Sequence, residues 1–74
     1  MSTTVAVRPD APDQVLVEAA HVLRERAHSL RVQADSLTVP LATAYRRRAS
    51  ELELEAWLDD LSAGLPYEEI PSAT

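Results

Sequence analysis

Residues 16–42, LVEAAHVLRERAHSLRVQADSLTVPLA, hold a repeating pattern, one break, and the start of a second pattern. Leu16, Leu23, Leu30 and Leu37 recur every seventh residue, with Ala20, Ala27 and Ala34 at the alternate seam positions between them. That is a heptad with Ala at a and Leu at d, the mark of a helix with one narrow apolar seam. Upstream, Pro12 suits a first helical turn, where its missing N–H costs nothing, with Asp10 or Ala11 as cap. Asp13 and Glu18 add negative charge near the positive helix end. The sequence therefore predicts a first helix over about 12–36.

Thr38-Val39-Pro40 is the interior break, Thr38 being a candidate N-cap and Pro40 a first-turn residue. Beyond it Ala42, Ala49, Ala56 and Ala63 again recur every seven residues, with Tyr45 and Leu52 at the alternate positions. Gly64 suits the left-handed residue that closes a helix, Leu65 can pack back, and Pro66 forbids continuation. A second helix over about 39–63 follows. Two helices of matched length joined by a short turn (37–40) fold as antiparallel neighbours, so residues 12–64 form a hairpin and the class is all-α. Residues 1–11 are expected to be a flexible arm or a short strand, and 65–74 an irregular acidic tail.

Centring the turn between Val39 and Pro40 makes the numbers of facing residues sum to 79. The layers are then Leu37/Ala42, Ala34/Tyr45, Leu30/Ala49, Ala27/Leu52, Leu23/Ala56, Ala20/Asp59 and Leu16/Ala63. All but one pair a large residue with an alanine, which lets the helices interdigitate and approach closely. The exception puts Asp59 at a seam position opposite Ala20, near the open end where it can reach water. The same register is expected to bring Arg24 near Glu53 and Arg26 near Glu55.

A second apolar surface is left over. At 100° per residue, Leu54, Leu58, Leu61 and Leu65 fall almost opposite the seam, with Trp57 on the flank. A hairpin needs one apolar stripe per helix to close, so this second stripe needs a cover. The arm (Val5, Val7) and the tail (Tyr67, Ile70) are two candidates. The third is another chain, completing a helical bundle by self-association or by binding a protein partner through Leu54, Trp57, Leu58, Leu61 and Leu65.

Composition narrows the function classes. The chain has 74 residues, 12 acidic residues against 7 arginines, a net charge of −5 and no cysteine. Disulfides and thiolate metal sites are therefore excluded. An acidic chain is poorly suited to nonspecific binding of nucleic acid or anionic lipid. The start MSTTVAVRPD has no apolar run of signal-peptide length, and no stretch approaches a membrane span, so a cytoplasmic protein is the default expectation. Charge is also polarised. Arg31, Arg46, Arg47 and Arg48 gather at the bend, whereas Asp10, Asp13, Glu18, Asp59, Asp60, Glu68 and Glu69 gather at the open end.

Chemistry is sparse. His21, Glu25 and His28 share one helix face, and Glu25-x-x-His28 matches the local spacing used by carboxylate-bridged metal bundles. Their phase is outward, opposite the Leu/Ala seam, whereas such sites project inward; solvated side chains are the better reading. No nucleophile is joined to a His–acid arrangement, and no Gly-rich phosphate loop is present. No catalytic residue and no cofactor is expected. Arg46-Arg47-Arg48, with Arg31 nearby, could grip an anion or nucleic acid but runs straight into Glu51, Glu53 and Glu55. The order arm, helix, helix resembles that of ribbon-helix-helix repressors and antitoxins, whose paired N-terminal strands enter the major groove. Here the arm offers Thr3, Val5 and Val7 with one cation, Arg8. The first helix is about twice the length that resemblance implies, and the join lacks its glycine turn.

The reading favoured by the sequence is a non-catalytic protein-interaction module: a small regulator, adaptor or assembly subunit, with a homodimer as one form. A DNA-binding regulator or antitoxin is the alternative, followed by a metal-binding bundle using Glu25 and His28.

Overall fold

A computed structural model describes residues 12–71. Its main elements are α1 (Gln14–Ala34) and α2 (Val39–Ala63), packed against each other along their lengths, and a 3-10 turn at Tyr67–Glu69. There is no strand among the described residues. The expected arm, with Thr3, Val5, Val7 and Arg8, lies outside the described residues, as does the chain beyond Pro71.

Asp13 starts α1 from an extended conformation, its carboxylate accepting the Val15 N–H at 3.0 Å. The cap is therefore Asp13 rather than Asp10 or Ala11, and Pro12 precedes the helix. A carboxylate both binds an orphan amide and meets the positive helix end, which explains why the helix starts there. Thr38 is the α2 cap by backbone conformation alone, without a side-chain bond, and Pro40 occupies the first turn. At the far end Gly64 is left-handed, φ +96°. The Leu65 N–H reaches the Asp60 carbonyl at 3.2 Å and the Gly64 N–H the Leu61 carbonyl at 3.1 Å. This pairing satisfies carbonyls that a helix C-terminus leaves free.

The seam is the expected one. Ala20, Ala27, Ala34, Ala42, Ala49, Ala56 and Ala63 are all buried, and Ala27, Ala49 and Leu52 form the core with Leu23 and Leu30 packed on it. The seam leucines of α1 are half-buried, whereas the alanines between them are sealed. A two-helix layer accounts for this: methyl groups fit between the backbones, while each leucine reaches past the partner's alanine and leaves one side to solvent. At the open end the Asp13 N–H donates to the Ala63 carbonyl at 2.8 Å, tying the first turn of α1 to the last of α2.

The expected proximity of Arg24 to Glu53 and of Arg26 to Glu55 is replaced by a different ladder. Arg24 lies 2.7 Å from Asp60, and Arg31 lies 2.6 Å from Glu53. In both pairs the residue numbers sum to 84 rather than 79. Helical side chains lean toward the N-terminus of their own helix, so in an antiparallel pair they lean in opposite directions. Arg31 leans toward the open end and Glu53 toward the bend, and they meet. Arg24 and Glu53, already offset the other way, lean apart.

Candidate protein-binding face

The second half of α2 presents apolar side chains on both sides. Ala49, Leu52 and Ala56 are sealed in the seam, whereas Leu54, Leu58 and Leu61 retain 51, 49 and 37 % of their surface. Spacings of four and three residues place these three leucines on adjacent turns of the outward face. The other exposed aliphatics among the described residues, Val15, Val22, Val32, Val39 and Leu41, lie on α1 or around the bend.

Trp57 and Leu65 sit at the rim of this stripe and are half-buried. After Gly64 the chain folds back, so that the Tyr67 ring meets Trp57 edge-to-face at 5.9 Å and Ile70 becomes buried. The tail expected to be irregular thus contains a 3-10 turn with its own contacts, closed by the Ile70 N–H on the Tyr67 carbonyl at 3.2 Å. It covers the rim at Trp57 while Leu54, Leu58 and Leu61 stay open to solvent.

Charged groups beside this face are largely engaged within the hairpin. Arg31 holds Glu53 with two hydrogen bonds, 2.6 and 3.3 Å, and Ser50 Oγ with a third at 3.2 Å. The hydrogen bond to Glu53 raises the Arg31 pKa above its ordinary value and preserves the cation. Arg46 reaches Asp35 at 3.3 Å and Arg48 reaches Glu51 at 3.1 Å. Of the four bend-end arginines, only Arg47 has no carboxylate partner among the described residues. A phosphate at this cluster would compete with bonds already made.

Sequence reasoning missed Asp60. It singled out its neighbour Asp59, which is half-buried as an open-end position allows, yet Asp60 retains only 1 % of its surface. Arg24 Nη2 stands close to Asp60 Oδ2, but neither Arg24 Nη2 nor Asp60 Oδ1 has an aligned hydrogen-bond partner among the described residues. The pair is held by charge and packing rather than by oriented bonds. Its sequence signal is the seven-residue spacing of Arg24 and Arg31 against that of Asp60 and Glu53.

Along the Arg24 side of α1, His21, Arg24, Glu25, His28 and Ser29 line an open groove. His21 Nε2 is 3.4 Å from Glu25 Oε2, both side chains being largely exposed. Among the described residues no three His or carboxylate groups converge as a metal site, so Glu25 and His28 remain on the surface without a third ligand. No described helix is long and apolar enough to cross a membrane. No family model, curated protein or solved structure matches the chain.

Proposed function

We propose that this chain is a non-catalytic protein-interaction module, a small regulator, adaptor or assembly subunit. It binds through Leu54, Leu58 and Leu61, with Trp57 and Leu65 at the rim. One observation carries the reading: the hairpin closes on alanines and Leu52, while three leucines on successive turns of the same helix stay about half exposed. Contiguous apolar surface bordered by charge is what a partner surface requires, and a half-buried Trp beside it supplies a rigid anchor. The alternative use of Arg31, Arg46, Arg47 and Arg48 on nucleic acid has less support, because three of the four already hold carboxylates.

The test compares wild-type protein with the triple variant Leu54→Gln, Leu58→Gln, Leu61→Gln as baits in a cell extract. Both should show the same helical circular dichroism at low micromolar concentration, since none of the three leucines lies in the seam. Proteins retained by the wild type should be lost by the variant. An identical retained set, or a variant that no longer forms helix, contradicts the assignment.

A further inference from the structure

We infer that Pro66–Ile70 is a strap over Trp57 whose closure is set by ionic strength. Apolar contact draws it shut, and repulsion between carboxylates pushes it off. It leaves Leu54, Leu58 and Leu61 open and governs the Trp57 rim alone. The case rests on how the segment is tied, what holds it down and what opposes it.

The strap is tied to α2 only at its root. The Leu65 N–H bonds back to the Asp60 carbonyl at 3.2 Å, and Pro66 has no N–H to give. Beyond that point the described backbone bonds close within the strap itself. The Glu69 N–H reaches the Pro66 carbonyl at 2.9 Å and the Ile70 N–H the Tyr67 carbonyl at 3.2 Å. The 3-10 turn therefore keeps its bonds when it lifts and moves as one piece about Leu65 and Pro66.

Two side chains hold it down. Ile70 retains 8 % of its surface, and the Tyr67 ring meets Trp57 edge-to-face at 5.9 Å while staying 70 % exposed. Among the described residues no side-chain hydrogen bond or ion pair joins Pro66–Ile70 to either helix. One buried aliphatic group and one ring edge thus stand against the entropy of ordering the segment, so closed and open states lie close in free energy.

Charge opposes closure. Glu68 and Glu69 lie on the strap and are exposed, and residues 49–71 hold no cation. At the open end of the hairpin Arg24 is committed to Asp60, while Asp13, Glu18 and Asp59 have no arginine partner among the described residues. Closing the strap brings two carboxylates toward a negative end. Exposed charges act over the Debye length, about 30 Å at 0.01 M salt and about 3 Å at 1 M. In dilute salt the repulsion is felt and the strap opens; in concentrated salt it is screened, and the apolar contact closes it. Closure withdraws an edge of Trp57 from whatever meets the rim. That last consequence rests on the binding reading, whereas the strap itself does not.

Trp57 is the only tryptophan, so quenching of its fluorescence by acrylamide, an uncharged probe, reads the strap directly. Between about 0.01 M and about 1 M sodium chloride the wild-type quenching constant should fall about twofold, with helical circular dichroism unchanged. Ile70→Ser should quench at the higher level in both salts. Glu68→Gln combined with Glu69→Gln should quench at the lower level in both. Wild-type quenching indifferent to salt would overturn the strap. So would a salt dependence that persists in the double variant, since it would owe nothing to the strap's charge. Helicity that changes in step with quenching would also overturn it, by tracing the signal to the hairpin. None of these outcomes bears on retention from an extract, so failure of the strap and failure of the binding face are told apart.

Discussion

Alanine and Asp60 mark the two extremes of what a single residue contributes here. Each seam alanine is sealed because only a methyl group fits between two closely approaching backbones. Asp60 is sealed although it is charged, and Arg24 is its counter-charge. Breaking such a pair costs more than replacing it, because the remaining charge is left without compensation. Arg24→Ala should therefore lower unfolding free energy by about 2–3 kcal/mol, whereas the double change Arg24→Leu with Asp60→Leu should stay within about 1 kcal/mol of wild type. Urea titration followed by circular dichroism measures both; a neutral Arg24→Ala would show that the pair is incidental. That this pair escaped the sequence reading has a physical reason. Facing residues were matched by backbone height alone, and the lean of long side chains along their helices displaces the true partners by several residues.

Helix α2 serves two surfaces at once, and its ends are written locally. The seam was legible because the seven-residue recurrence of alanine has one reading in an antiparallel pair, and Leu52 and Ala49 fall where that reading puts them. The outer stripe was legible by angle, from Leu54, Leu58, Leu61 and Leu65. The fold-back of Tyr67 onto Trp57 was not, since no periodicity governs a chain after its helix has stopped. The stop itself depends on Gly64. A Cβ there meets no atom within 4 Å, so the cost of Gly64→Ala is backbone strain alone at φ +96°. About 1 kcal/mol is expected, a fall in melting temperature of roughly 4–8 °C for a chain of this size. An unchanged melting curve would mean that the end of α2 frays freely and that the tail contact with Trp57 does not depend on it.

As a whole molecule, the hairpin divides its apolar residues between a closing seam and an exposed stripe, which we propose meets another chain. The first use is written in the sequence with its own partner, which is why fold and register could be read. The second has no cover among the described residues, so the stripe could be found from the sequence but its occupant could not. If the two surfaces are separate, damage to each has a different signature. The decisive measurement is the melting temperature of Ala27→Leu and of Leu58→Gln, each followed over a wide range of protein concentration. Ala27 is fully sealed, so added bulk should push the helices apart and lower the melting temperature at every concentration, by roughly 1–3 kcal/mol of stability. Leu58→Gln, on the exposed face, should match the dilute wild type, and any rise in melting temperature that association confers at high concentration should be lost. Equal loss from both variants in dilute solution would contradict the division of α2 into a closing face and a binding face.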